Sequence, residues 1–230
     1  MSLVGIISCI GLSFLYVASL YVWEFKSPDI ALLNRDHPSV IRRRIASLFV
    51  STVVCVLVTD KYTNEQFRLP QLRWGNLLKT MGQVLVLMMG PIAQTVSLRK
   101  SLPCFWVAVR NLIVAPISEE IVFRHCFLRI LIASGISSRI AVGIAPLIFA
   151  LAHVHHNIYS LPLSVVILSV AHTCVFGWIA FYFLLNRSIW DSILAHTICN
   201  AIGLPAFRSD GSRALTLTYI TGLVSFIVSL

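Results

Sequence analysis

Long apolar runs separated by short polar stretches make up most of the chain. Residues 3–23 and 161–185 carry no charged side chain, and residues 214–230 are uncharged to the last position. An α-helix needs roughly 20 apolar residues to cross the hydrocarbon core of a bilayer, so these three runs predict membrane spans. Shorter apolar stretches lie between them, at residues 45–59, 77–98, 104–116, 119–134, 140–153 and 189–206. The whole pattern predicts seven to nine helices, with the short segments either tilted or partly buried.

The composition separates the chain from soluble proteins. Of the 230 residues, 57% are hydrophobic and 12% are charged, whereas soluble domains carry about 25% charged residues. An open sheet edge in lipid would leave backbone groups unpaired, which favours helices. The predicted fold class is an all-α, polytopic bundle of transmembrane helices. No linker, low-complexity run or internal repeat divides the sequence, so residues 1–230 are expected to form one domain.

The basic residues are distributed among the loops. The net charge is +9, but scattered positive charge disfavours nucleic-acid binding and indicates membrane topology instead. Arg42, Arg43 and Arg44 predict a cytosolic first loop, with Met1 on the opposite side. Basic residues of the following loop weaken this bias, namely Lys61, Arg68 and Arg73. Residues 3–23 follow no positive n-region, so they are expected to remain as a span rather than form a cleaved signal peptide.

Two adjacent carboxylates, Glu119 and Glu120, interrupt an apolar segment. A charged Asp, Lys or Arg at the centre of a spanning helix costs about 2.5–3.5 kcal/mol by insertion scales, so a charge there requires a partner or a function. Pro116 followed by Ser118 predicts a helix start, whose first turn favours acids. Arg124 follows Glu120 by four residues, the favourable order for an ion pair, which makes Glu120 structural. Glu119 points about 100° away and has no such partner, so it is the candidate base.

Histidines and an asparagine supply further candidate groups. His153 ends an apolar segment, and His155 and His156 follow it at the expected membrane interface. His196 and Asn200 are spaced i, i+4, which places an imidazole and a carboxamide on one helix face. With the candidate base, these segments provide a carboxylate, two imidazoles and a carboxamide. Such a set can activate water and stabilise an oxyanion, as peptide hydrolysis requires.

Other chemically able residues are interpreted as structural. The six cysteines form no CxxC pair and no spacing typical of a disulfide scaffold or a zinc ribbon. None lies in a polar context that would favour a thiolate, which argues against a thiol mechanism. Ser188 and Asp191 have the spacing of a capping box, so Asp191 is predicted to cap a helix rather than to take part in catalysis.

Three motifs follow one another within residues 115–200, each on an apolar stretch. They are Glu119-Glu120-x-x-x-Arg124, Phe149-x-x-x-His153 and His196-x-x-x-Asn200. They resemble the three ordered motifs of the CAAX protease and bacteriocin-processing superfamily. The longer strings 115–125 and 153–156 resemble its eukaryotic type II branch, the Ras-converting CAAX prenyl endopeptidases. Residues 115–200 are therefore the motif-bearing core of the predicted domain.

This resemblance implies an intramembrane endopeptidase of the endoplasmic reticulum membrane with about eight spanning helices. Its substrates would be farnesylated or geranylgeranylated proteins, cut after the prenylated cysteine of a C-a-a-X box so that the last three residues leave. By the same resemblance Glu119 activates the attacking water, His153 helps to position that water, and His196 and Asn200 stabilise the oxyanion. The residues implied to support the site are Glu120 and Arg124. No cofactor and no metal ion are expected.

Other interpretations of the same residues stay open at this point. A zinc metalloprotease would use Glu119, His153 and His196 as ligands, an attested type of catalytic set; however, no His in the sequence is followed by Glu, as an H-E-x-x-H motif requires. A transporter or proton relay would use the buried polar groups as a conduit, but the internal repeats common in transporters are missing. A non-enzymatic scaffold would have no need to bury all four candidate catalytic groups.

Overall fold

The computed structural model describes residues 2–23, 35–98, 103–154, 162–203 and 213–230. Within these ranges the chain is helical and contains no strand. The helices are Ser2–Ser19 (α1), Pro38–Thr63 (α2), Trp74–Leu87 (α3), Met89–Leu98 (α4), residues 105–133 (α5), Ser138–Ala152 (α6), Leu163–Asn186 (α7), Ile189–Ile202 (α8) and Arg213–Ser229 (α9). The all-α prediction is confirmed for this part of the chain. His155 and His156 lie outside the described residues.

Helix α5 is one continuous helix with two π-helical segments. It passes from Phe105–Val109 through a π segment at Arg110–Val114, α-helix at Ala115–Glu119, a second π segment at Glu120–Cys126 and α-helix at Phe127–Ala133. The helix start predicted at Pro116 is wrong, because the backbone is right-handed helical on both sides of it. Proline lacks an N–H and ordinarily breaks the α-helical ladder. A wider π turn accommodates that loss, and such turns are frequent at functional sites.

Two apolar clusters surround α5 and position its neighbours. The first joins α1, α2, α5 and α6 around buried aromatic rings such as Phe123, Phe127 and Phe149. The second joins α3, α7, α8 and α9 around Phe183 and Phe226. Helix α7 belongs to both clusters, since its Phe181 lies in the first. Helix α6 thus packs against α5 within the first cluster, whereas α8 meets α5 through side-chain hydrogen bonds.

Close helix contacts rely on small residues, as is common where helices associate in lipid. Gly177 of α7 lies against Pro146 of α6, and a Cβ placed at Gly177 would come within 2.7 Å of the Pro146 Cβ. Gly222 of α9 lies against the Val86 carbonyl, which a Cβ would approach to 2.6 Å. Larger side chains at these positions would separate the helix pairs.

Helices α1 and α7 are long and apolar enough to cross a membrane, and most of their residues are not buried within the protein. Large apolar side chains are also exposed on other helices, including Phe49 on α2 and Val228 on α9. Exposed apolar surface of this extent requires an apolar environment. These apolar surfaces indicate a membrane protein.

Candidate active site

Glu119 lies between two imidazole rings that come from different helices. Its Oε2 is 3.8 Å from His153 Nε2 and 3.7 Å from His196 Nε2. His153 follows the last residue of α6 and its side chain is 34% exposed, whereas that of Glu119 is 15% exposed and that of His196 is 7% exposed. Three of the residues proposed from the sequence therefore meet in one partly accessible place.

Glu120, unlike Glu119, is fully buried. Its Oε1 accepts a hydrogen bond from His196 Nδ1 at 2.7 Å, and its Oε2 accepts one from the Ser192 hydroxyl. Arg124 Nε is 3.4 Å from Glu120 Oε2, and neither side chain has any exposed surface. The predicted ion pair is confirmed. Glu120 also binds an imidazole of the candidate site, a contact that was not predicted.

The hydrogen bonds define which nitrogen of each imidazole carries a proton. Ionised Glu120 and the Phe149 carbonyl can only accept, so His196 Nδ1 donates to Glu120 and His153 Nδ1 donates to Phe149 O at 2.8 Å. In both rings Nε2 is then the atom directed at Glu119. Partners of this kind fix the tautomer and the orientation of a functional histidine.

Aromatic rings complete the walls around these groups. The Arg124 guanidinium lies 3.8 Å from the centre of the Phe149 ring and 5.5 Å from that of Phe176. The same two rings pack edge-on against the imidazoles, with centroid distances of 4.4 Å for Phe149 and His153 and 4.7 Å for Phe176 and His196. The buried cation is thus stabilised by Glu120 and by two aromatic faces.

Asn200 contacts α5 about two turns before Glu119. Its Nδ2 donates to the Asn111 carbonyl at 2.9 Å. A carboxamide has two N–H groups, so this bond commits one of them and fixes the orientation of the side chain. The structure therefore places Asn200 on the α8 face that carries His196, as the spacing of these residues predicted. This face adjoins α5.

Asp191 lies in the first turn of α8, away from the cluster around Glu119. Its carboxylate accepts hydrogen bonds from the Ser188 hydroxyl at 2.6 Å and from the Thr80 hydroxyl of α3 at 2.7 Å. The Ser188 side chain makes no capping bond to the backbone, so the predicted capping box is wrong. Asp191 joins α8 to α3 instead.

Two hydroxyl residues of α8 escaped the sequence analysis. Ser192 binds Glu120, and Thr197 donates to the Leu112 carbonyl of α5 at 3.0 Å. The spacing of Ser192, His196 and Asn200 by four residues each was a usable signal, because it places all three on one helix face. The neighbour of Thr197 is set by the packing of α8 on α5, which no local pattern specifies.

Among the residues that the structure describes, no group of three or more His, Cys, Asp or Glu side chains is arranged to hold a metal ion. Metal independence stays a prediction, to be tested on the protein itself.

Comparison with known proteins relates the chain to one family. A family model described as "Type II CAAX prenyl endopeptidase Rce1-like" matches residues 101–202. "Probable CAAX prenyl protease 2" of Schizosaccharomyces pombe is 30% identical over 91% of this chain and 85% of its own length. "CAAX prenyl protease 2" of Homo sapiens is 32% identical over 99% and 80%, and that of Caenorhabditis elegans is 29% identical over 97% and 94%. No solved structure matches the chain.

Proposed function

Because this chain belongs to the type II CAAX prenyl endopeptidase family, and is therefore a peptide hydrolase, we propose that it removes the aaX tripeptide from prenylated CAAX proteins by direct attack of water. The observation that supports this mechanism is the convergence of His153 Nε2 and His196 Nε2 on Glu119 Oε2. Separations of 3.7 and 3.8 Å exceed a direct hydrogen bond but suit groups bridged by one water.

In the proposed reaction Glu119 is the general base. The oxygen of the bound water attacks the carbonyl carbon of the prenylated cysteine while one water proton passes to Glu119. The tetrahedral intermediate then breaks its C–N bond, and the proton held by Glu119 passes to the leaving amine. The products are a prenylated cysteine with a free carboxylate and the aaX tripeptide with a free amine. A base of this kind contributes about 10²- to 10⁴-fold in rate.

His196 and Asn200 are proposed to stabilise the oxyanion. Since His196 Nδ1 donates to Glu120, its Nε2 can donate to the oxyanion only when the ring is the imidazolium. Glu120 contacts this cation as well as Arg124, so its single negative charge is shared between the two. Asn200 contributes its second amide N–H, the one that is not bound to the Asn111 carbonyl. Donors aimed at a developing oxyanion are worth about 10²- to 10³-fold each.

The proposed setting is the endoplasmic reticulum membrane, where about eight spans of one domain would form a polytopic bundle. The apolar length of α1 and α7 and the exposed apolar side chains on other helices support this arrangement. A substrate that carries its own prenyl chain partitions into the same bilayer. The lipid anchor would thus bring the scissile bond to a site bordered by membrane helices.

Cleavage by purified protein in detergent or nanodiscs tests the proposal. A farnesylated C-a-a-X peptide should yield the aaX tripeptide by mass spectrometry, and the same peptide without farnesyl should be cut far less. Activity should persist after prolonged chelation, and metal analysis should find no stoichiometric zinc. No cleavage, or equal cleavage of both peptides, contradicts the proposed substrate. Activity that chelation removes and zinc restores contradicts the metal-free mechanism and supports zinc bound by Glu119, His153 and His196.

A further inference from the structure

Pro116 removes one backbone donor from the part of α5 that precedes the catalytic glutamate. In an α-helix the N–H of residue 116 would bind the carbonyl of Leu112, four residues back. In a π turn it would bind that of Asn111, five residues back. Proline provides no N–H for either carbonyl. The preceding N–H, that of Ala115, is already bound to the Arg110 carbonyl.

These two carbonyls are the ones that α8 uses. Thr197 Oγ1 donates to Leu112 O at 3.0 Å, and Asn200 Nδ2 donates to Asn111 O at 2.9 Å. Buried or partly buried carbonyls without a partner are costly, so a helix that supplies two donors at this point is favoured there. In lipid, no bulk water is at hand to replace such donors.

We propose that Pro116 and Thr197 are positioning residues, which align α8 through the freed carbonyls of Asn111 and Leu112. Two bonds from neighbouring turns of α8 fix both its rotation and its height against α5. This alignment places His196, adjacent to Thr197, beside both glutamates, and it turns the second amide N–H of Asn200 towards the oxyanion. The expected effect on catalysis rests on the proposed function. The contacts between α8 and α5 do not depend on it.

The kinetic test replaces the Thr197 hydroxyl while keeping its shape. Thr197→Val should lower kcat on a farnesylated peptide by about tenfold, in line with the loss of one hydrogen bond. It should leave KM nearly unchanged, because the Thr197 hydroxyl binds α5 and is proposed to act through His196 and Asn200. Thr197→Ser keeps the hydroxyl and should recover most of the rate. Thr218→Val is the matched control, since the Thr218 hydroxyl binds within its own helix α9, to Leu215 O at 2.7 Å. A wild-type kcat for Thr197→Val overturns the proposal.

A second test returns the missing donor. Pro116→Ala supplies an N–H that can bind the Asn111 or the Leu112 carbonyl. The variant should keep or raise the thermal unfolding midpoint, as expected for replacing proline within a helix. Its kcat should nevertheless fall. If Pro116 is only tolerated in α5, kcat will stay at the wild-type value, and this outcome contradicts the inference.

A double-mutant cycle on stability separates this inference from the proposed function. Thr197→Val should lower the unfolding midpoint in the wild-type background and much less in Pro116→Ala, where the new N–H already satisfies the carbonyl. Such coupling indicates shared partners. Additive effects of the two substitutions overturn the proposal. Because this readout needs no substrate, it stands even if the protein cleaves no prenylated peptide, which would refute the proposed function alone.

Discussion

Glu119 and Glu120 are neighbours in the chain but lie in different surroundings. Glu119 is partly exposed and faces two imidazole Nε2 atoms. Glu120 has no exposed surface and is held by His196, Ser192 and Arg124. The proposed division of labour follows, with Glu119 exchanging a proton with water and Glu120 keeping its charge to orient the site.

Glu119→Gln should reduce cleavage of a farnesylated C-a-a-X peptide by about 10²- to 10⁴-fold, because an amide cannot accept the proton from water. The side chain is nearly isosteric, so the unfolding midpoint in detergent should change little. Turnover and thermal unfolding are measured on the same preparation. A folded Glu119→Gln protein with near wild-type kcat would rule out Glu119 as the base.

Glu120→Gln should lower stability as well as activity. Breaking a buried ion pair by removing one partner costs about 3–5 kcal/mol, because the remaining charge stays buried and uncompensated. The remaining charge here is Arg124, which lies between Phe149 and Phe176. Adding Arg124→Met should therefore restore much of the unfolding midpoint lost in Glu120→Gln. If the double variant is no more stable than the single one, the ion pair is not the source of the loss.

At this scale the sequence could predict residue types better than residue contacts. The sequence points to Glu119, His153 and His196 because polar groups within apolar segments are costly unless they have a partner or a function. The structure brings these three side chains together. The Glu120–Arg124 pair was predictable from local spacing. The bond from Glu120 to His196 joins residues 76 positions apart, and only the packing of α8 on α5 creates it.

At the scale of elements, the histidine motifs depend on how closely their helices pack. Helices α6 and α7 touch at Pro146 and Gly177. Phe149 lies one turn after Pro146 and Phe176 directly precedes Gly177, and these two rings contact the imidazoles of the candidate site. A change in the distance between these helices should therefore reach His153 and His196 through their aromatic neighbours.

Gly177→Ala should lower both the unfolding midpoint and kcat, because its Cβ would come within 2.7 Å of the Pro146 Cβ and within 3.3 Å of its Cα. Overpacking of this kind typically costs about 1–3 kcal/mol. Gly143→Ala in α6 is the matched control, since a Cβ there meets nothing within 4 Å. That control should be neutral or stabilising, as for Gly to Ala within a helix. Equal behaviour of the two variants would show that the contact does not constrain the helices.

The elements themselves were partly predictable. Apolar runs gave helices in the right regions, as for α1 and α7. They did not show that residues 105–133 form one helix, because Pro116 normally marks an α-helix start or break. Residues of both π segments contact side chains of α8, and a local pattern carries no information about those partners.

At the scale of the whole molecule, the proposed mechanism gives the site no net charge. In that mechanism Glu119 and Glu120 supply two negative charges, and Arg124 with an imidazolium at His196 supplies two positive ones. Charges placed away from water persist when they are paired. The cluster can therefore lie among membrane helices without a net charge, which is compatible with a reaction whose intermediate is an oxyanion.

The contacts of α1 and α2 fix their directions relative to α5. Along α1, Gly5 lies against Ser134 and Tyr16 OH lies 2.7 Å from Ser118 Oγ, so α1 runs antiparallel to α5. Along α2, Arg42 lies over the Trp106 ring and Tyr62 OH lies 2.7 Å from Ser134 Oγ, so α2 runs parallel to α5.

His153, after the end of α6, lies beside Glu119 in the middle of α5, and Asn200, near the end of α8, lies beside Asn111 near the start of α5. Arg42, Arg43 and Arg44, which the structure places in the first two turns of α2 rather than in a loop, lie near the start of α5 and just beyond the end of α1. Each lies over an aromatic ring, in the pairs Arg42–Trp106, Arg43–Trp23 and Arg44–Tyr21.

This arrangement sharpens the topology prediction into one with internal controls. Arg42–Arg44 are expected to face the cytosol, where a protein's C-a-a-X end is presented, so Met1 and the loop at residues 65–73 should both be lumenal. In microsomes, glycosylation acceptors placed before Met1 or within residues 65–73 should be modified, and one placed beside Asp36 should not. The chain's own sequon begins at Asn186, the last residue of α7, and Asn186→Gln removes it as a source of signal. Modification beside Asp36 with none at the other two positions would reverse the predicted orientation.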